Sequence, residues 1–173
     1  MQEIVFVDTK VVAIMRIVVF SDSHDNIFNA VEVIERNKDV GTFVFLGDGS
    51  DDFETLKEMY PHKEFFGVRG NCDYFSRLPD EYMLDIDGIK IFCTHGHLYS
   101  VKFSTDKLIA TARSRGATIV LHGHTHKSYS KYDDGLYIVC PGSVSKPADR
   151  ERTYATIDIT SKGVFCNIIE MKR

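Results

Sequence analysis

Five times along the chain a short apolar run empties into a polar cluster. Ile17–Phe20 runs into Ser21-Asp22-Ser23-His24, Phe43–Leu46 into Gly47-Asp48, and Glu64–Val68 into Arg69-Gly70-Asn71. Ile89–Cys93 runs into Thr94-His95-Gly96-His97, and Thr118–Leu121 into His122-Gly123-His124-Thr125-His126. Short apolar runs rich in β-branched residues fit strands buried on both faces, which restricts the chain to layered α/β folds. Between the first two runs, Ile27, Ala30, Val31 and Ile34 recur at helical spacing behind Asn26, a helix cap, so the segment reads as strand-helix-strand. In such sheets ligands collect at the carboxyl ends of strands, and the five clusters share that edge.

The remaining elements follow from local chemistry. Asp51 with Glu54 resembles a capping pair for a helix through Phe53, Leu56 and Tyr60 that Pro61 stops. Asp87-Gly88 joins Tyr82–Ile86 to Ile89–Cys93 as a hairpin, and a helix is expected from Ser104 to Arg115, closed by Gly116. Turns at Asp134-Gly135 and Ser161-Lys162-Gly163 predict a meander of strands near 128–132, 136–140, 153–159 and 164–170. Helices early and strands late imply α/β layers with a mixed second sheet. The 173 residues are expected to form a single domain, because a chain of this length buries roughly 70% of its unfolded surface. Residues 1–14 are β-prone without chemistry and read as an added strand or an N-terminal extension.

Composition narrows the function. A net charge of −4 gives no global attraction to phosphate backbones, which argues against nucleic acid as a partner. Cys72, Cys93, Cys140 and Cys166 show no C-x-x-C spacing in a chain too large to need staples, as expected of a reducing cytoplasm. No apolar run approaches the ~18 residues of a membrane span, and an export signal is not expected.

Six of the seven histidines (24, 95, 97, 122, 124 and 126) lie in the strand-end clusters, leaving His62 outside. In extended backbone, side chains two apart share a face, so His124 and His126 are expected to reach one small volume with parallel imidazoles. The competing reading is a polar strand end with solvated histidines. Imidazole, carboxylate and amide donors together suit Mn2+, Fe2+, Zn2+, Co2+ or Ni2+. Asp22, His24, Asp48, Asn71, His95, His124 and His126 are too many ligands for one open site, and two metals sharing a carboxylate use them economically.

Asp22-x-His24, Gly47-Asp48, Gly70-Asn71-Cys72-Asp73, His95-Gly96-His97 and Gly123-His124-Thr125-His126, in that order, resemble the motifs of the calcineurin-like metallophosphoesterases, most of all their small phosphodiesterase-type members. The resemblance runs from about Met15 to Ser145. It implies a four-layer αββα sandwich of two mixed sheets flanked by helices, and a phosphodiesterase acting on small phosphodiesters or activated phosphate esters. Asp22, His24, Asp48 and His126 would hold one divalent metal, and Asp48, Asn71, His95 and His124 the other. Manganese is favoured, with iron, zinc, nickel or cobalt also suitable, and a hydroxide held between the metals would be the nucleophile.

Relatives such as the serine/threonine phosphatases carry histidine where this chain has Cys72, a poor replacement for imidazole in assisting a leaving group. Either esters with good leaving groups are favoured, or His97 or a metal-bound water acts instead. Asp25 and Asp73 could orient ligand histidines or serve as loop and helix caps, while Arg69 reads as a surface or phosphate-contacting residue. His122 reads as part of the strand core or a local hydrogen-bonding group, His62 as solvent-facing, and Cys140–Ser145 as packing. A small phosphoester is the expected partner, with room for a homo-oligomer. Two other functions are weighed: a non-catalytic scaffold like the retromer subunit of similar fold, and a nuclease, for which no basic stripe is present.

Overall fold

Which face of each strand meets which layer decides the architecture. A computed structural model describes residues 13–172. Ten strands and three α-helices follow in order: β1 Ala13–Phe20, α1 Ile27–Arg36, β2 Thr42–Phe45, α2 Ser50–Met59, β3 Glu64–Gly67, β4 Glu81–Ile86, β5 Ile89–Thr94, α3 Asp106–Ser114, β6 Ile119–His122, β7 Ser128–Asp133, β8 Leu136–Pro141, β9 Thr153–Thr160 and β10 Gly163–Glu170. One sheet has the order β10-β9-β1-β2-β3 and the other β4-β5-β6-β8-β7. Each has three parallel strands at its heart, β1-β2-β3 or β5-β6-β8, with antiparallel strands added.

The two faces of β1 explain the layers. Ile17 and Val19 join Val44, Leu46, Ile91, Cys93, Ile119 and Leu121 in a core between the sheets. Val18 and Phe20 point the other way, with Phe43 and Phe45, against Ala30, Val33 and Ile34 of α1 and Phe53 and Leu56 of α2. On the far side Phe92, Val120 and Ile138 meet Leu108 and Ala112 of α3. Three apolar seams therefore hold four layers, helix–sheet–sheet–helix, as expected. Burying each large side chain contributes about 1.5–3 kcal/mol, so all three seams stabilise the stack.

Asp87 and Gly88 both have positive φ (50° and 82°), as do Asp134 and Gly135 (40° and 83°), the backbone that a two-residue hairpin turn needs. Other boundaries moved. The helix expected over 104–115 is Asp106–Ser114, and His97–Tyr99 forms an unexpected 3-10 turn. The Asp51/Glu54 cap is not present: α2 starts at Ser50 behind Gly49, with no side-chain cap from its own segment. The expectation for residues 1–14 as an extension falls largely outside the described residues, although Ala13 opens β1, where it pairs with Thr160.

Register carries the polar clusters to one place. Phe20 lies beside Phe45 and Phe45 beside Gly67, while Thr94 lies beside His122. The carboxyl ends of β1, β2 and β3 thus stop in step, facing those of β5 and β6 across the inter-sheet core.

Candidate metal centre

Where β1, β2 and β6 end, the backbone turns through conformations that L-residues seldom adopt. Asp22, His24, Asp25, Asp48, His124 and His126 all have φ between 48° and 69°. A non-glycine residue held there costs on the order of 1–2 kcal/mol, so a cluster of six is a strained segment held by its surroundings. Gly70 allows the loops to close: a Cβ there would sit 2.1 Å from Asp48 Oδ1 and 2.5 Å from the Asp48 amide nitrogen. No side chain fits between these two loops.

The first group forms around Asp22, whose side chain is fully buried. Its Oδ1 lies 3.1 Å from His126 Nε2 and 3.9 Å from His24 Nε2, yet has no hydrogen-bond partner of acceptable geometry. The Nε2 atoms of His24 and His126 approach to 3.2 Å. His126 Nδ1 lies 2.6 Å from the Lys146 carbonyl, which can only accept, so Nδ1 carries a proton and Nε2 is the nitrogen turned toward Asp22. Burial raises the Asp22 carboxyl, but the close His126 imidazole, with His95 beyond it, outweighs burial and holds the group below the usual range. The same contact with Asp22 raises His126, while burial lowers His24.

The second group is built the same way from the other sheet. His95, fully buried, places Nδ1 2.6 Å from the Leu46 carbonyl, leaving Nε2 as the lone-pair nitrogen. That atom faces Asn71 Oδ1 at 3.2 Å, His124 Nδ1 at 3.2 Å and Asp48 Oδ2 at 3.5 Å. Burial, then the neighbouring His95 and Lys102, push His124 down to about 4, which keeps its imidazole neutral. Lone pairs converging with few protons to share are repulsive alone and fit a cation. Asp22-His24-His126, His24-Asp48-Cys72 and Asp48-His95-His124 each offer donor atoms within 4.8 Å of one another, so Asp48 reaches both sides. The donor set therefore fits divalent metal.

All seven predicted ligands lie in this one region, but by a route that alternation did not foresee. His124 and His126 are not on an extended strand; their left-handed backbone sends the first to His95 and the second to Asp22. His97 stands beside them, its ring 5.4 Å from that of His95 and 6.2 Å from that of His124, with Nδ1 buried and unpartnered. His122 is fully buried, with Nδ1 3.0 Å from the Gly123 carbonyl and Nε2 2.5 Å from the Tyr129 hydroxyl, and burial pushes it down to about 4. Arg69 pairs with Asp80 at 2.7 and 3.1 Å, and His62 is exposed. Partial desolvation and the adjacent Asp48 carboxylate push the Cys72 thiol up to about 11, so it stays protonated at neutral pH.

Asp73 does not orient a histidine. Its carboxylate accepts the backbone N–H groups of Asp48, Gly49, Ser50 and Gly70 at 2.7–2.9 Å, capping α2 from another loop and binding the β2 and β3 loops together. Asp25 is exposed. Sequence reading also missed Ser143, fully buried, which donates to the Asp22 carbonyl at 2.8 Å and accepts from the Ser145 and Lys146 amides. The loop read as packing thus fixes the carbonyl that orients His126. No sequence signal marks a carbonyl as an anchor.

Comparison with known proteins agrees with this geometry. Residues 15–162 match the model of the Calcineurin-like phosphoesterase superfamily domain. A probable metallophosphoesterase of Bacillus subtilis, YsnB, is 29% identical over 147 residues, 84% of this chain and 85% of that one. Phosphodiesterase MJ0936 of Methanocaldococcus jannaschii is 27% identical over 144 residues, covering 74% of this chain and 83% of its own. The crystal structure of a predicted phosphoesterase from Streptococcus pneumoniae superposes with a TM-score of 0.73 at 26% identity, covering 90% of this chain and 97% of the other.

Proposed function

The chain belongs to the calcineurin-like phosphoesterase superfamily and its relatives include probable metallophosphoesterases, and from that premise we propose that it is a phosphodiesterase of small phosphodiesters or activated phosphate esters. Asp22, His24, Asp48 and His126 would hold one divalent cation, and Asp48, Asn71, His95 and His124 a second, with Mn2+ favoured over Fe2+, Zn2+, Ni2+ and Co2+. One observation carries the reading: His95 and His126 each commit Nδ1 to a carbonyl, at 2.6 Å, and turn Nε2 toward a carboxylate on the shared strand edge. Such a metal pair supplies Lewis acidity toward phosphoryl oxygens and a nucleophilic water near neutral pH.

The protein's own contribution is position and field. The Leu46 and Lys146 carbonyls fix two imidazole tautomers, and Asp73 fixes the backbone on which Asp48 stands. Asn71 Nδ2 donates one hydrogen to Cys72 Sγ at 3.4 Å and keeps the other to steady a substrate oxygen once Oδ1 faces the cation site. His97 takes the leaving-group role, because Cys72 is a weak donor and the unpartnered His97 Nδ1 adjoins the same cluster. The name of the archaeal relative, phosphodiesterase MJ0936, supports the diester preference.

The test is reconstitution of metal-free protein with Mn2+, Zn2+, Ni2+ and Co2+, assayed on nitrophenyl mono- and diesters with Asp48→Ala as the blank. Diester turnover that requires metal and Asp48 is expected. Metal binding without turnover of any ester would instead favour the scaffold reading.

A further inference from the structure

Beside the metal cluster a groove of about 460 Å3 is lined by Val101, Lys102, Thr105, Thr125, Lys127 and Tyr129. Thr125 lies between His124 and His126, so the wall of the groove is also the rim of the cluster. Lys102 and Lys127 are exposed, and neither forms an ion pair among the described residues. Thr105 opens α3 without spending its hydroxyl as a cap. In a chain of net charge −4, two unpaired ammonium groups over a partly apolar floor form a local field of opposite sign.

We infer that this groove receives a second phosphate group of the substrate, so that the preferred substrate is a small phosphodiester carrying a further phosphate on one of its two alcohol components. The inference rests on the phosphodiesterase reading for its substrate, but the groove itself is independent of metal. Two ammonium groups with the Thr105 hydroxyl match a dianion with three terminal oxygens better than a single carboxylate, while the Thr125 hydroxyl is already engaged with the Lys127 backbone and Cys140. Val101 and Tyr129 offer apolar surface to the organic part that links the two phosphates. Diesters lacking the second phosphate would leave both lysines to solvent.

The experiment compares the p-nitrophenyl ester of thymidine 5′-phosphate with the same diester bearing a 3′-phosphate, in the Mn2+-loaded protein. The 3′-phosphorylated substrate is expected to show a KM about tenfold lower, and Lys102→Ala/Lys127→Ala to remove that advantage while leaving kcat and the KM of the plain diester unchanged. Lys90→Ala/Lys162→Ala, which removes the same charge from the opposite sheet edge, is the control and should preserve the advantage. Equal KM values for both substrates in the parent protein, or an equal rise on both in the lysine variant, would overturn the inference. A second measurement separates it from the hydrolytic reading: calorimetric titration of metal-free protein with inorganic phosphate. Binding that the lysine variant loses supports the groove even if no ester is turned over, and absence of binding in the parent overturns it.

Discussion

Replacing Asp73 by Asn changes one oxygen to NH2 and tests how far a single buried carboxylate organises the cluster. Asp73 is 7% exposed and accepts four backbone N–H groups, two on each oxygen, at 2.7–2.9 Å. In the Asp73→Asn protein one oxygen remains, so two of the four bonds are lost and the amide hydrogens face two backbone donors. Bonds to a charged acceptor contribute about 1.5–3 kcal/mol each, so a loss of roughly 3–6 kcal/mol is expected. At about 2–4 °C per kcal/mol for a chain of this size, Asp73→Asn should lower Tm by about 6–24 °C. Acid titration gives a second readout. Burial raises the Asp73 carboxyl but the four N–H donors outweigh it, so its folded-state value is lowered. Between its unfolded value, about 3.9, and that lower value, the unfolded chain binds more protons, so the stabilisation is full above the window and drains away as pH falls. The gap between parent and variant should therefore narrow in strong acid. An Asp73→Asn protein melting within about 2 °C of the parent, or a gap that stays constant with falling pH, would refute the reasoning.

The same geometry sets three further outcomes. Gly70→Ala should abolish high-affinity Mn2+ binding and lower Tm, because its Cβ would meet Asp48 backbone at 2.5 Å; calorimetry and melting would show it. Metal-free parent protein should lose about 3–4 kcal/mol through His122 as pH falls from about 6.5 to about 4, since roughly 2.5 pH units at about 1.4 kcal/mol each separate the unfolded and buried values; His122→Gln, compared by urea unfolding, should lack that share. Here the folded value is lowered, so the contribution is complete above about 6.5 and disappears toward about 4. Cys72→His should raise kcat about tenfold or more on alkyl esters and little on nitrophenyl esters, as general acid assistance requires; equal effects on both would exclude that role.

Much of this was legible before any coordinates, and the reasons differ by residue. Ile17–Phe20 and Phe43–Leu46 announce strands because both faces are buried, but for the same reason they do not say which residue faces which layer. Asp87-Gly88 and Asp134-Gly135 announce turns because few residue pairs tolerate two successive positive φ values. The seven donors were visible as residue types at strand ends. Their partners were not: left-handed residues after β1, β2 and β6 redirect their side chains, which separates His124 from His126. The anchors of His95 and His126 are backbone carbonyls, which carry no letter in a sequence. Asp73 caps a helix 23 residues upstream at Ser50, and Lys102 and Lys127, 25 residues apart, line one groove.

Metal stoichiometry measures the central claim most directly. Metal-free protein equilibrated with Mn2+ and analysed by equilibrium dialysis should hold two ions per chain, with spin coupling in the electron paramagnetic resonance spectrum from neighbours ~3.5–4 Å apart. Asp48→Ala, which removes the carboxylate within reach of both histidine groups, should abolish the coupling and weaken both sites. A single ion per chain, or two uncoupled ions indifferent to Asp48, would contradict the account.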